Sequence, residues 1–324
     1  MNVSVNQTDL PDPSQVLVAA ARIAAHAHIT PLLHSHTLDT LSGARLFFKM
    51  ESLQRGGAFK FRGACNAVHA LSKEQAARGV ITHSSGNHGA ALALAAQLRS
   101  IPCHVVIPEG AIASKIENIR RYGAQIWRCG PSLVAREAEC SRVQQHTGAT
   151  LIHPYTHPQV IAGQGTVALE LVQQAKTPLD AIVVPVGGGG LAAGTWLALQ
   201  QAAPDCELIL AEPSGADDTA RSLALGKLVS NTAPDTICDG LRTNLGAPNF
   251  ALLKGHASVI VVDDAATIAA QRWLLQVLKQ VVEPSSSIGL AAILAQPQRF
   301  AGRSVGVVLS GGNVDSDALP WHQP

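Results

Sequence analysis

The chain has 324 residues, 47% of them hydrophobic and 15% charged, with a formal net charge of +1. This length supports two domains, or one large one, with ample core, and the composition excludes a disordered chain. Near-neutral charge removes any general attraction to nucleic acid or an acidic membrane surface, so neither is expected as a partner.

In chain order, short β-rich apolar runs lie at 44–50, 79–83, 102–107, 125–128, 150–153, 180–186, 207–211 and 303–309. Runs of helical length and pattern lie at 61–71, 87–98, 114–122, 132–146, 161–174, 190–201 and 265–282. This alternation predicts an α/β protein with parallel sheets covered on both faces. The closely spaced units from 79 onward predict a small domain over 78–153, with 1–77 and 154–324 forming the large one.

Cys65, Cys103, Cys129, Cys140, Cys206 and Cys238 are scattered without a CxxC pair, which reads as reduced buried thiols. The first dozen residues carry no basic-then-apolar leader, so a cytoplasmic protein is expected. The uncharged stretch 181–204 holds five glycines and two prolines, and reads as strand, glycine turn and helix rather than a membrane span.

Ligands of α/β sheets bind where strands end and helices begin, because helix N-termini and turn glycines expose N–H groups there. Three such junctions stand out. In Gln54-Arg-Gly-Gly-Ala-Phe-Lys-Phe-Arg-Gly63, Lys60 sits between Phe59 and Phe61 at a helix start. Desolvation there would free its amine to attack a carbonyl, although an exposed helix-start lysine is the commoner arrangement. Thr82-His-Ser-Ser-Gly-Asn-His-Gly89 offers hydroxyls, an amide and turn N–H groups suited to a carboxylate, or an ordinary helix cap. Val184-Pro-Val-Gly-Gly-Gly-Gly-Leu-Ala-Ala-Gly194 reads as a phosphate cradle or a tight turn. Its Gly188-x-Gly190-x-x-Ala193 pattern, with Glu207 beyond, also matches a dinucleotide fingerprint.

Together these loops resemble the fold-type II pyridoxal-phosphate enzymes, in the serine/threonine dehydratase and serine racemase branch. The resemblance runs from about residue 29 to 315. It rests on Ala58-Phe-Lys-Phe-Arg-Gly-Ala64, Ser84-Ser-Gly-Asn-His-Gly89, Ala162-Gly-Gln-Gly-Thr166, the glycine loop, Ala211-Glu-Pro-Ser-Gly-Ala-Asp-Asp218 and Leu309-Ser-Gly-Gly-Asn313. It implies a tryptophan synthase β-like fold: two domains, each with a mainly parallel sheet flanked by helices. The implied cofactor is pyridoxal 5'-phosphate, held as a Schiff base on Lys60.

By the same resemblance Phe59 packs on the cofactor ring and Asn87 bonds its hydroxyl. Gly187, Gly188, Gly189, Gly190 and Leu191 take the phosphate, and Ser310 meets the ring nitrogen. Such a neutral partner leaves that nitrogen largely unprotonated and favours prompt loss of a β-leaving group. The substrate carboxylate would dock on Ser84, Ser85, Asn87 and His88, with Lys60 as general base. The implied reaction is dehydration of a β-hydroxy-α-amino acid of the L-threonine/L-serine class to a 2-oxo acid and ammonia. Ser85 carries the alternative, since its hydroxyl opposite Lys60 would reprotonate the α-carbon and make the protein a serine racemase.

Glu212, the Ala216 carbonyl and Asp218 match a Mg²⁺ or Ca²⁺ site of the racemase-like members, or else are solvated loop acids. Arg136 resembles a basic position near the cofactor mouth, or lies on a solvated helix face. The turn Gly56-Gly57-Ala58 is smaller than the family's common one, and predicts room for a bulky β-substituent such as the aryl group of phenylserine. The pairs His34/His36 and His153/His157 have ligand-like spacing but lack completing ligands. A homodimer is implied by the relatives. A non-catalytic amino-acid-binding regulator is the rival class.

Overall fold

The computed structural model describes residues 10–84, 86–110, 113–315 and 319. Its strands are β1 Leu32–Leu33, β2 Arg45–Met50, β3 Val80–Thr82, β4 Cys103–Pro108, β5 Gln125–Cys129, β6 Thr150–Leu151, β7 Ala181–Pro185, β8 Glu207–Pro213, β9 Ala257–Val262 and β10 Ser304–Leu309. They form a six-stranded sheet in the order β1-β2-β10-β7-β8-β9 and a four-stranded sheet in the order β5-β4-β3-β6. Every pairing is parallel except β1 with β2. The expected α/β architecture of two helix-flanked, mainly parallel sheets is present.

Alternate residues of each central strand feed opposite faces of the larger sheet. Leu46, Phe48, Val183, Ile209 and Val307 pack with Ile288 and Leu290 of the helix Pro284–Ala295. Phe47, Ile182, Val184, Leu208 and Val308 pack with Val167 and Leu171 of Pro158–Ala175 and with Leu197 of Gly190–Ala202. Burial on both faces explains why these strands read as continuous apolar runs rather than alternating ones. The smaller sheet is built the same way: Val80, Val105 and Ile107 face the helices Lys60–Ala70 and Asn87–Arg99. Ile81 and Val106 face the helix Leu133–Thr147.

Some elements depart from expectation. The run 265–282 is an α-helix only over Asp264–Trp273; a π-turn follows at Leu274–Leu278, and Lys279 stops it at φ 58°. The strand expected at 150–153 is assigned only over Thr150–Leu151; Ile152 N still donates to Ile81 O at 2.9 Å, but its carbonyl faces His88 Nε2. The uncharged stretch resolves into β7, a glycine turn and the helix Gly190–Ala202, and no described helix is long and apolar enough to cross a membrane. All six cysteines are buried and free, and burial pushes the Cys65 and Cys103 thiols up to about 12.

Candidate active site

The carboxyl ends of β7 and β10 and the start of the helix Asn87–Arg99 surround a cavity of about 720 Å³. Phe59, Lys60, Ser84, Asn87, His88, Gly187, Gly188, Gly189, Gly190, Leu191 and Ser310 all line it. Residues as far apart in sequence as Phe59 and Ser310 thus meet at one place because parallel strands deliver all their carboxyl ends to the same edge. Ser85 lies outside the described residues.

Lys60 opens the helix Lys60–Ala70. Its Nζ donates to the Pro154 carbonyl at 3.1 Å and lies 5.0 Å from the centre of the Phe59 ring. Burial lowers the ammonium pKa to about 8, partly opposed by the negative charge of Glu283. More of Lys60 is therefore a free amine near neutral pH than in an exposed lysine, as a nucleophile or base requires. The turn before it is tied to the end of β10: Phe59 N donates to Ser310 O at 2.9 Å, and Gly312 N to Gly57 O at 2.9 Å. A bridge joins Ala58 to Gly311.

That tie overturns the expectation of added room at Gly56-Gly57-Ala58. A Cβ on Gly57 would meet Asn313 Oδ1 at 2.3 Å, and Ala58 is buried against Gly311. The space is filled by another part of the chain, and none of these residues lines the cavity. They give no reason to expect a bulky β-substituent.

The glycine loop is a cradle in which side chains are excluded. A Cβ on Gly188 would stand 2.4 Å from the Tyr155 ring, and Gly189 holds φ at +88°. The loop leads into the positive end of the helix Gly190–Ala202. The dinucleotide alternative fails on position. Glu207 pairs in register with Ala181 at the start of β7, at the far end of the sheet from the loop, and is bound by Arg299 and Arg303.

Opposite, the helix Asn87–Arg99 presents first-turn N–H groups that have no carbonyl partner within the helix. His88 Nε2 faces the Ile152 carbonyl at 3.1 Å, so that nitrogen carries the hydrogen. Burial holds the imidazole pKa well below normal, which leaves Nδ1 as a bare acceptor without a partner. His88 therefore offers a carboxylate its backbone N–H rather than its ring. Arg136 is half-buried and lines the cavity, with its Nε shut from solvent and without a protein partner, so it is not on a solvated face.

Ser310 Oγ lies 3.1 Å from Ser286 Oγ, in the first turn of the helix Pro284–Ala295. Sequence reading missed Ser286, as it missed Tyr155, Arg242 and Glu283 on the cavity wall. Glu283-Pro-Ser-Ser-Ser287 carries a helix-start signal, proline at the first helical position among serines, that could have found two of them.

Glu212 ends β8 with both carboxylate oxygens accepting backbone N–H groups, from Thr219 and Ala220 at 2.8 Å each. Asp218 Oδ2 accepts from Leu245 N at 2.8 Å, and Ala216 is buried between them in sequence. Burial raises both acids, Glu212 to about 7, and the charge of Asp218 adds to the effect on Glu212. A buried acidic pair of this kind fits a hard cation with oxygen ligands. His153 and His157 instead accept backbone N–H groups at Nδ1, and no group of three or more His, Cys, Asp or Glu side chains among the described residues is arranged to hold a metal.

Comparison with known proteins identifies the family. Residues 23–311 match the family described as "Pyridoxal-phosphate dependent enzyme". The chain is 48% identical to a beta-hydroxyaspartate dehydratase of Paracoccus denitrificans over 97% of its own length and 99% of the relative's. It is 47% identical to a serine racemase of Arabidopsis thaliana, covering 92% of each. The solved structure of maize serine racemase superposes with a TM-score of 0.92 at 46% identity, covering 96% of both chains.

Proposed function

The chain belongs to the pyridoxal-phosphate dependent enzymes, and on that footing we propose that it removes water from a β-hydroxy-α-amino acid, with the 3-hydroxyaspartate class as its preferred substrate. One observation carries this reading: Lys60, the glycine cradle, Ser310 and the start of the helix Asn87–Arg99 line a single cavity. The residues fit the cofactor. The loop excludes a Cβ at Gly188 where a phosphate needs close backbone approach, and Gly187 to Leu191 would hold that group. Lys60 would bind the aldehyde carbon, Phe59 and Asn87 the ring, and Ser310 the ring nitrogen.

When bound, the cofactor withdraws electrons from the α-carbon of the substrate. The chain's own residues do the rest. Ser84, Ser85, the Asn87 amide and the backbone N–H of His88 orient the substrate carboxylate. Lys60 Nζ, which burial leaves more readily unprotonated, would take the α-proton. The β-hydroxyl, protonated by the proton that Lys60 Nζ gives back, would leave as water, and the released enamine tautomerises to an imine that hydrolyses to a 2-oxo acid and ammonia. Arg136 offers a cation without a protein partner to a second carboxylate on the β-carbon, which supports a 3-hydroxyaspartate-like substrate over phenylserine.

The test is kcat/KM for 3-hydroxyaspartate, serine, threonine and phenylserine, with borohydride trapping of cofactor on Lys60. Preference for 3-hydroxyaspartate supports the reading, and a colourless protein that cannot be reconstituted ends it. Serine racemisation is the second reading, supported by the Ser85 hydroxyl in the sequence and by the Arabidopsis relative; chiral analysis for D-serine decides it. In this reading residues 78–153, which contain the four-stranded sheet, act as a small domain in a cytoplasmic homodimer, and Glu212, the Ala216 carbonyl and Asp218 hold Mg²⁺ or Ca²⁺.

A further inference from the structure

Glu283 lines the cavity, is only 6% exposed, and has no part in the elimination outlined above. Its two carboxylate oxygens accept from Asn87 Nδ2 at 3.1 and 3.0 Å. Asn313 holds the other end of that amide, its Nδ2 donating to Asn87 Oδ1 at 3.0 Å and to the Gly56 carbonyl at 2.7 Å. Gripped at both ends, Asn87 has one orientation. Flipping it would set the amide oxygen against a carboxylate and two N–H groups against a donor. Gly311 makes the seat, since a Cβ there would stand 2.8 Å from Glu283 Oε1.

The same carboxylate bears on Lys60. Burial drives the Lys60 ammonium towards losing its proton, and the charge of Glu283 opposes that loss. Other titratable groups near the pair are His88 from the helix Asn87–Arg99, His153 ahead of Tyr155, and Cys238, Asp239 and Arg242 around the turn Asp239–Leu241. Burial keeps both histidines neutral and the Cys238 thiol protonated at neutral pH. Asp239 and Arg242 are the remaining charged members of that set, and they are opposite in sign.

We infer that Glu283 is a positioning residue, which fixes the end of the Asn87 amide that the cofactor meets and presents its charge in the same cavity as the Lys60 amine. The inference rests on the pyridoxal phosphate reading of the cavity and adds to it a residue with no assigned role.

Two variants of the cofactor-loaded protein test it. E283Q keeps the size and removes the charge. Without an anion beside it, Lys60 becomes a free amine at lower pH, so the acid limb of kcat for elimination moves down by about one unit. The ratio of the visible to the near-ultraviolet cofactor band changes with it. E283D keeps the charge but withdraws it from Asn87, so the limb stays at the wild-type pH while the band ratio changes. An unmoved limb in folded E283Q overturns the inference. Should E283Q not fold, E283D decides alone: a limb that drops, or a band ratio equal to that of the wild type, overturns it equally. A wild-type protein without any cofactor band defeats the reading of the cavity instead, so the two failures are distinct.

Discussion

The guanidinium of Arg62 grips Glu51 at two points, Nε on Oε2 and Nη2 on Oε1, each at 2.8 Å, with both side chains shut from solvent. Glu170 takes the remaining edge of the guanidinium and also the buried Lys49 ammonium. This network pins the helix that begins with Lys60 to β2 and to the helix Pro158–Ala175. Replacing one partner leaves a charge buried without its counterpart. Arg62→Met is therefore expected to cost about 3–5 kcal/mol in urea unfolding. Arg142→Ala, which breaks an exposed pair with Glu139, should cost under about 1 kcal/mol. Equal losses in the two variants would show that the buried network does not anchor the helix.

Gly188→Ala tests the cradle. The new methyl would stand 2.4 Å from the Tyr155 ring, which must then turn or push the loop away. Overpacking of this kind costs about 1–3 kcal/mol. Since the strained atoms are those proposed to approach the phosphate, the loss should appear as weaker pyridoxal phosphate binding, at least several-fold in Kd by absorbance titration. Unchanged affinity would place the phosphate elsewhere.

Acid stability follows from buried histidines. Burial lowers the His157 pKa from 6.5 to about 4, so the unfolded chain binds a proton more readily than the folded one between those values. The contribution of His157 is complete above 6.5 and is lost as pH falls towards 4. His157 also caps the helix Pro158–Ala175, accepting from Gln159 N at 3.2 Å, and asparagine can supply that acceptor without titrating. His157→Asn should therefore lose less stability than the wild type between pH 6.5 and 4 in denaturant melts. Parallel curves would contradict the assignment.

How far the sequence spoke depended on where each signal was stored. The strands β7, β8 and β10 and the loops at their ends were legible because local apolar runs, glycines and polar clusters carry them. The helix Pro284–Ala295 was not, since it is buried on all sides and shows no apolar stripe to set a helical period, so Ser286 and Glu283 went unread. The turn at Gly56-Gly57-Ala58 was misread for a different reason. Small residues look like empty space until the side chain that fills it is known, and here that is Asn313, 257 positions from Gly56. The preferences of Lys60 lay in its environment rather than its neighbours in sequence. Only the assembled cavity separates it from a surface lysine.

Removal of divalent metal should lower stability. Glu212 and Asp218 are buried acids that repel one another, and a cation bound to them and to the Ala216 carbonyl would remove that repulsion. A ligand present at a hundred times its Kd adds about 2.7 kcal/mol to the folded state. Chelation is thus expected to lower Tm by several degrees, with Mg²⁺ or Ca²⁺ restoring it, and Glu212→Gln should abolish the response. A Tm indifferent to chelator and metal would leave the pair as structural acids, each satisfied by the backbone N–H groups it already accepts.

The proposed substrate class is tested at Arg136. Arg136 lines the cavity, and its Nε is shut from solvent without a protein acceptor, an arrangement that costs free energy unless a ligand completes it. In the proposed reaction the substrate's α-carboxylate takes its partners at the start of the helix Asn87–Arg99, so a second carboxylate is what Arg136 would add. A charge-assisted hydrogen bond of this type contributes about 1.5–3 kcal/mol, or roughly ten- to a hundredfold. Arg136→Ala should therefore lower kcat/KM for 3-hydroxyaspartate by that factor more than for serine, which has no β-carboxylate to lose. Raised salt should weaken the wild type's preference and leave the variant's ratio unaffected, because the screened charge is the one removed. If both substrates decline together, Arg136 supports the cavity wall rather than reading the substrate, and the preference must be sought among Tyr155, Arg242 and Asn244, which face the same space.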